Sequence, residues 1–174
     1  MPERNIAKEI RESIRAGNLE RLEALFAEDA KRLSMMTTFG TWLHVACSFG
    51  QLEVVKYLVD HGADVNARGG IEGGAPIDAA ASDGHVDIVT FLLQRGAVMD
   101  TSEPDRNPLF GAIYGGHVDV AKALIEAGID TTVKYTGESM KGMDALAFAR
   151  EYDQPAIERM LKKGKQRSPR SRRR

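Results

Sequence analysis

Histidine and cysteine are the residue types in this chain best suited to metal or acid–base chemistry, and their placement argues against both. His85 and His117 each follow a glycine, 32 residues apart, within two similar segments. Such a recurrence is typical of a structural position in a repeated turn. No histidine pair has the spacing of zinc ligands, and Cys47 is the only cysteine. The sequence therefore predicts no metal, no cofactor and no internal disulfide.

Glycine and serine could support phosphate binding or nucleophilic catalysis, but neither occurs in the required setting. The pairs Gly69-Gly70 and Gly73-Gly74 lack the following Lys-Ser/Thr of a phosphate-binding loop. No serine stands in the turn motif of hydrolase nucleophiles, and the carboxylates are dispersed along the chain. The sequence therefore favours a protein that is not an enzyme.

One segment of the chain occurs three times. Residues 50–58 (GQLEVVKYL) return as 84–92 (GHVDIVTFL) and again as 116–124 (GHVDVAKAL), and the opening glycines lie 34 and 32 residues apart. Self-similarity at this period is typical of stacked helix-pair repeats, and such arrays present extended surfaces that bind other molecules. The period therefore favours a binding protein.

Each repeat is predicted to contain two helices joined by a tight turn and followed by a long loop. The first helices are predicted to start after a capping position, occupied by Thr41, Ala75, Asn107 and Asp144. Pro76 and Pro108 then fall at the first helical position, where the missing N–H has no cost.

The second helices are predicted to bury an apolar stripe. Helical spacing places Leu52, Val55, Leu58 and Val59 on one face. The same positions of the next two repeats are also apolar: Val86, Val89, Leu92, Leu93, Val118, Ala121, Leu124 and Ile125. A glycine follows each of these helices and is suited to a left-handed cap: Gly62, Gly96 and Gly128.

These segments resemble the ankyrin repeat family. The matching stretches are 41–46 (TWLHVA), 61–67 (HGADVNA) and 84–89 (GHVDIV). The resemblance implies an all-α solenoid of stacked antiparallel helix pairs, with β-hairpin-like finger loops between repeats. Fingers and first helices would line a concave face, and the histidines after the turn glycines would steady the turns.

The repeat spacing divides residues 1–163 into about five units, followed by a basic tail at 164–174. The units are an N-terminal cap repeat at about 1–37, interior repeats at 38–70, 71–103 and 104–140, and a C-terminal cap repeat at 141–163. Because the tail contains proline, many basic residues and few apolar ones, we expect it to be disordered.

The resemblance also indicates where a partner would bind. In the family the two residues before each turn glycine face the concave side, and here these pairs include Phe49, Tyr114 and, in the last repeat, where Asp153 replaces the glycine, Tyr152. Exposed aromatic side chains with a charged rim are typical of protein-binding hot spots. We therefore predict a strip of partner-binding residues: Phe39, Trp42, Phe49, Glu72, Asp78, Asp83, Glu103, Asp105, Tyr114, Tyr135 and Tyr152.

Two residues of this strip have an alternative interpretation. Trp42 stands near the base of a finger, where packing between repeats explains it equally well. Asp78 takes the position of the family's first-helix histidine, which is kept only as His44, so a structural role is the alternative for this carboxylate.

The charge is divided between an acidic body and a basic end. Residues 162–174 hold eight of the 24 Lys and Arg residues and no acid, which leaves 16 basic against 25 acidic residues, about −9, in residues 1–161. An acidic body favours a protein partner with a basic surface and disfavours nucleic acid in the groove. Since no apolar run has secretory or membrane-spanning character, we expect a monomeric cytoplasmic protein without membrane contact.

These observations predict a non-enzymatic protein–protein interaction module, either an adaptor or a stoichiometric inhibitor, for example an immunity-type inhibitor of a basic toxin. The alternative is a nuclear or RNA-associated protein whose basic C-terminal tail is the working element.

Overall fold

Helices dominate the computed structural model, which describes residues 5–70, 73–137 and 140–167, the last four by their backbone only. Within these ranges ten α-helices follow one another as five pairs. The first helices are α1 (Ile6–Arg15), α3 (Trp42–Ser48), α5 (Pro76–Ser82), α7 (Pro108–Tyr114) and α9 (Ala145–Glu151). The second helices are α2 (Leu19–Glu28), α4 (Leu52–Asp60), α6 (Val86–Gln94), α8 (Val118–Glu126) and α10 (Pro155–Arg167). The predicted solenoid of helix pairs is confirmed.

The loops between the pairs include short hairpins, as expected for fingers. Strand β1 (Met36–Thr37) pairs antiparallel with β2 (Gly40–Thr41) ahead of α3. Single antiparallel bridges close the fingers ahead of α5 and α9, between Gly69 and Gly74 and between Tyr135 and Met143. Two 3-10 helices lie in the loops before α3 and α7: Ala30–Ser34 and Pro104–Arg106.

Most helix ends follow the predicted capping chemistry, but the hydroxyl of Thr41 bonds the His44 ring at 2.9 Å and caps no backbone N–H among the described residues. The side chain of Asn107 accepts a hydrogen bond from the backbone N–H two residues later at 3.0 Å, and Asp144 accepts one from three residues later at 2.9 Å. Prolines open α5 and α7, where the helix needs no donor. Glycines with φ of +90°, +85° and +89° follow three of the second helices: Gly62, Gly96 and Gly128.

The core runs along the array between the first and second helices. α3 packs against α5 and α5 against α7, while α4, α6 and α8 pack in the same order. Four first helices each contribute a fully buried alanine at equivalent positions: Ala46, Ala80, Ala112 and Ala149. Small side chains at these positions let successive first helices approach closely.

The second helices bury only part of the predicted stripe, namely its fourth and seventh helix positions. In α4 the buried residues are Val54, Val55 and Leu58. The first residues of α6 and α8, Val86 and Val118, are 36% and 37% exposed, so their predicted burial is wrong. Each second helix packs against its own first helix and against a neighbouring second helix, which centres its buried arc on the third, fourth and seventh positions.

One turn residue per repeat ties that repeat to the preceding one, and we call this series the turn ladder. Its members, Gln51, His85 and His117, each hydrogen-bond a backbone carbonyl near the end of the preceding first helix. The bonds join Gln51 to Arg15 at 2.9 Å, His85 to Ser48 at 3.1 Å and His117 to Ser82 at 3.0 Å. The predicted structural role of the two histidines is confirmed.

Helix α10 extends further than the sequence indicated. It continues to Arg167, past residue 164 where the basic tail was predicted to begin, and the expected disorder of the tail stays a prediction. Lysine, glutamine and arginine are good helix formers, and the next proline stands only at position 169. The rest of the basic tail, 168–174, lies outside the described residues. Within the described ranges, no helix combines the length and apolar character needed to cross a bilayer.

Candidate protein-binding groove

The side of the array formed by first helices and fingers carries two neighbouring hollows, which together we call the groove. The N-terminal hollow, about 590 Å³ in volume, is lined by α1, α3, α5 and the adjoining fingers. The C-terminal hollow, about 1030 Å³, is lined by α5, α7, α9 and their fingers. Asp78, Ser82 and Asp105 line both hollows, so they lie where the two halves of the groove meet.

Four of the predicted aromatic residues are exposed in the groove. Phe39 and Phe49 line the N-terminal hollow with 51% and 37% of their surface exposed. Tyr114 and Tyr152 line the C-terminal hollow and are 68% and 41% exposed. Their predicted exposure is confirmed, and their contact with a partner stays a prediction.

Two other aromatic residues of the predicted strip are buried, so their assignment as partner contacts is wrong. Trp42 is 1% exposed, and its Nε1–H donates to the Arg32 carbonyl oxygen at 2.8 Å. Tyr135 is 7% exposed, and its hydroxyl donates to the Thr101 carbonyl at 2.8 Å and accepts from Asn107 Nδ2 at 2.9 Å. Both polar tips are satisfied inside the protein, and both rings fill space between successive repeats.

A column of packed rings supports the exposed tyrosines. The ring of Phe110 stacks on Phe148 with centroids 4.5 Å apart, and Phe148 lies 4.5 Å from Tyr152. Tyr152 in turn meets Tyr114 edge-on at 5.2 Å. Because Phe110 and Phe148 are buried, they hold the two tyrosines in place. The tyrosines would therefore lose little conformational freedom on binding a partner.

The acidic residues of the predicted strip have different surroundings. The carboxylate of Asp83 accepts a 2.6 Å hydrogen bond from Ser48 Oγ, which joins the ends of α3 and α5. Glu103 and Asp105 are exposed on the finger ahead of α7 and line the C-terminal hollow. Glu72 lies outside the described residues.

Asp78 and His44 occupy the same position in successive repeats but differ in hydrogen bonding. His44 accepts the Thr41 N–H through Nδ1 at 3.2 Å and bonds the Gly74 carbonyl through Nε2 at 3.1 Å. Burial lowers the pKa of His44, which favours the neutral ring. Asp78, only 9% exposed, accepts the Ala75 N–H through Oδ2 at 2.6 Å. Its Oδ1 has no hydrogen-bond partner among the described residues.

Burial raises the pKa of the Asp78 carboxyl to about 7. The nearest cationic side chains offset this only in part, because both are paired with another acid. Arg68 Nη2 lies 2.6 Å from Asp100 Oδ2, and Arg106 Nε lies 3.5 Å from the same oxygen. Hydrogen bonds from Ser102 and from Arg68 lower the pKa of Asp100 to about 2. The carboxyl of Asp78 therefore stands in the groove without a dedicated cation.

The sequence prediction missed two arginines in the groove. The guanidinium carbon of Arg11 lies 5.7 Å from the ring centroid of Phe39, and that of Arg15 lies 5.8 Å from Phe49. Arg15 stands two residues before Gly17, so the rule that found Phe49 would have found it in the first repeat. The groove therefore carries cations at its N-terminal end and is not uniformly acidic.

The geometry agrees with comparison to known proteins. A family model described as ankyrin repeats (3 copies) matches residues 11–103 and 78–170. The chain belongs to the ankyrin repeat family. This ankyrin repeat chain is a protein-interaction module, in keeping with the groove and with the proteins it is similar to.

Similar proteins share only part of their length with this ankyrin repeat chain. Protein phosphatase 1 regulatory subunit 27 from Mus musculus is 37% identical over 95 residues, which are 53% of this chain and 60% of that protein. Alpha-latrocrustotoxin-Lt1a from Latrodectus tredecimguttatus is 46% identical over 96 residues, 54% of this chain but 7% of the toxin. Human ankyrin repeat and SOCS box protein 11 is 30% identical over 93 residues, 53% of this chain and 28% of that protein. The chain thus spans less than two thirds of each of these relatives.

Proposed function

We propose that this chain is a non-enzymatic adaptor or stoichiometric inhibitor that binds one protein partner through the groove. The observation that carries the proposal is the row of four exposed aromatic side chains on one side of the array: Phe39, Phe49, Tyr114 and Tyr152. Aromatic residues dominate the energetic centres of protein interfaces because each brings a large contact area with few rotatable bonds. Two of them also rest on a packed column of rings, which supports a pre-organised binding surface.

The charges of the chain support a partner whose surface is mainly basic. Residues 1–161 hold 16 basic and 25 acidic residues, and the acids Asp83, Glu103 and Asp105 border the aromatic row. Complementary charge speeds the encounter of two proteins more than it deepens their affinity. At the N-terminal end, Arg11 and Arg15 would receive an acidic side chain of the same partner. An interface of roughly 800 Å² on this side would suffice for a stable complex.

The relatives support a regulatory version of this proposal. The mouse relative is named as a regulatory subunit of a phosphatase, and the human relative by its ankyrin repeats and SOCS box. We further propose that the chain acts as a monomer in the cytoplasm. Size-exclusion chromatography with light scattering and cell fractionation test these two points; a dimer or a nuclear location would contradict them.

A second candidate function is nuclear or RNA-associated, led by the C-terminal tail. Its support is the composition of residues 162–174, where eight basic residues occur without an acid. Basic runs of this kind can serve as nuclear localisation signals or contact the phosphate groups of nucleic acids. In that case the repeats would be a carrier for the tail.

Affinity capture from the native cell extract tests the groove against the tail. The full chain is compared with residues 1–163 and with a triple variant, Phe49→Ala, Tyr114→Ala and Tyr152→Ala. We expect a protein partner that residues 1–163 retain and the triple variant loses. A nucleic acid or an import receptor that is lost with the tail alone would contradict the proposal and support the second candidate.

A second triple variant controls for the loss of exposed apolar surface in general. Val86, Val98 and Val118 are 36%, 62% and 37% exposed, and none of the three lines either hollow. Their joint replacement by alanine should leave the captured partner unchanged. If this variant loses the partner as completely as the aromatic one, binding is not confined to the groove.

A further inference from the structure

Asp78 has an unmet hydrogen-bonding requirement at the centre of the groove. Only 9% of the surface of this residue is exposed, and Oδ1 has no partner among the described residues. Neither protonation state resolves this. A carboxylate lacks a donor at Oδ1, and a carboxylic acid with its proton there lacks an acceptor. A buried polar atom left in this condition destabilises the free protein.

The preceding repeat shows that folding does not require this arrangement. At the same position His44 satisfies both ring nitrogens, one within its own finger turn and one on the carbonyl of Gly74 in the next finger. Asp78 reproduces only the first of these bonds, the one to the Ala75 N–H. The orphaned oxygen is therefore a property of this repeat and not of the repeated fold.

The carboxyl of Asp78 belongs to the wall of the groove. Asp78 lines both hollows at the point where they meet. On the finger beside it, position 74 is a glycine, and a Cβ placed there would lie 2.8 Å from Asp78 Oδ2. The absence of that methyl group leaves space beside Oδ2, the oxygen that accepts the Ala75 N–H, whereas Oδ1 itself is buried.

The charge around Asp78 selects a cationic ligand. The two arginines whose charges act on Asp78, Arg68 and Arg106, form ion pairs with Asp100, although the buried Arg106 Nε makes no hydrogen bond among the described residues. The exposed Asp105 adds negative charge to the same stretch of groove. A metal ion is a poor fit, because the described residues contain no cluster of three or more His, Cys, Asp or Glu that could hold one. A guanidinium or ammonium group brings its own donors and needs only one carboxylate.

We propose that Asp78 is the receptor for a single arginine or lysine side chain of the protein partner, which inserts between the two halves of the groove. This inference rests on the proposed function and names the partner chemistry at its centre. The inserted cation would donate to the unsatisfied carboxylate, and the exposed aromatic residues on either side would cover it from water. A charged pair shielded in this way fixes the register of the partner along the groove.

A ligand titration of the full chain by NMR tests the inference without the partner. The probe is the amide of N-acetylarginine, and the matched control is the amide of N-acetylcitrulline, which has nearly the same shape and no charge. We expect the charged probe to shift the backbone amide signals of Ala75, Asp78 and Ala79, and the citrulline probe to leave them in place. Equal shifts with the two probes, or none with the charged one, would overturn the inference.

Two variants locate the charge that the probe recognises. Asp78→Asn keeps the acceptor for the Ala75 N–H and should weaken the charged probe by about tenfold or more. Asp119→Asn removes an exposed carboxylate of α8 that lines neither hollow and should weaken it less than about twofold. Equal weakening would show general attraction by an acidic surface only. If Asp78→Asn fails to fold, the comparison of the two probes on the unmodified chain decides the question alone.

The same variants separate this inference from the proposed function. In the affinity capture, loss of the partner by both Asp78→Asn and the aromatic triple variant supports both. A partner kept by Asp78→Asn and lost by the triple variant would leave groove binding intact and overturn the role of Asp78. A partner kept by the triple variant would contradict the groove itself.

Discussion

Single residues at one repeated position show how a regular scaffold acquires a specific feature. His44 and Asp78 both bond the N–H at the start of their own helix, but only His44 also reaches the next finger. The exchange of histidine for aspartate removes one link between repeats and leaves a buried acid in the groove. Compared with His44, Asp78 contributes less to the stability of the fold but gives the groove a carboxyl group that could bind a ligand.

The raised pKa of Asp78 makes stability depend on pH. Burial raises the pKa to about 7 in the folded state, against about 3.9 in an unfolded chain, so the folded protein retains a proton that the unfolded chain releases. The stabilisation that the protonated Asp78 carboxyl gives the folded protein is fully present below about pH 3.9 and is lost as pH rises towards 7. The free energy of unfolding falls by up to about 4 kcal/mol over this range. Asp78→Asn should therefore become increasingly more stable than the unmodified chain from pH 4.5 to pH 7.5.

Thermal melts of the two proteins at matched ionic strength measure this difference. His44, whose pKa is lowered, contributes with the opposite sign, since its share of stability is lost as pH falls below its unfolded value. It titrates in both proteins, so their difference isolates Asp78. A difference in melting temperature that stays constant with pH would contradict the assigned pKa.

The aromatic column provides a second contrast between neighbouring residues. Phe148 is 7% exposed and contacts two other rings, so Phe148→Ala should lower the free energy of unfolding by about 3 to 5 kcal/mol. Tyr114 is 68% exposed, and Tyr114→Ala should change it by less than about 0.5 kcal/mol. Urea denaturation of the two variants measures both free energies of unfolding and so distinguishes the buried Phe148 from the exposed Tyr114. Similar losses would mean that Tyr114 belongs to the core.

At the scale of helices, the repeat period predicts most of the structure because its signals are local. Capping residues, prolines at first positions and glycines after helix ends act within a few residues of where they stand. The burial of a side chain depends on more distant neighbours. Trp42 and Tyr135 bond carbonyl groups 10 and 34 residues earlier in the chain, and no local pattern indicates those contacts.

The corrected stripe of the second helices can be tested on α6. Leu92 is fully buried, so Leu92→Ala should lower the free energy of unfolding by about 2 to 5 kcal/mol. Val86, in the same helix and also predicted to be buried, is 36% exposed, and Val86→Ala should cost less than about 0.5 kcal/mol. Chemical denaturation of both variants measures the contrast. Equal decreases in the free energy of unfolding would mean that Val86 is buried, as the sequence predicted.

The whole molecule combines a scaffold that the sequence predicts well with a groove that it predicts only in part. The rule for residues before turn glycines finds Phe49, Tyr114 and Tyr152, because their exposure follows from the repeated backbone. It gives no indication that Asp78 lacks a partner, since this depends on how two fingers and a helix pack around one atom. The mixed charge of the groove likewise arises when Arg11 and Arg15 of α1 come beside aromatic residues of the second repeat.

Salt dependence distinguishes the two candidate functions for the molecule as a whole. Binding led by the aromatic groove should weaken by less than about tenfold between 50 and 200 mM salt, because exposed ion pairs contribute little of its energy. Binding of RNA by the eight basic residues of 162–174 should weaken by about a thousandfold or more over the same range. Binding measurements at the two salt concentrations, with the full chain and with residues 1–163, separate these outcomes.

The turn ladder also has a direction. Every one of its bonds runs from a later repeat to a carbonyl of an earlier one, from Gln51 to Arg15, from His85 to Ser48 and from His117 to Ser82. A ribosome releases the chain from its N-terminus, and early segments can fold while later ones are still being made. Each emerging repeat therefore finds its acceptor in a part of the chain that has already been released, an order that is compatible with vectorial folding during translation.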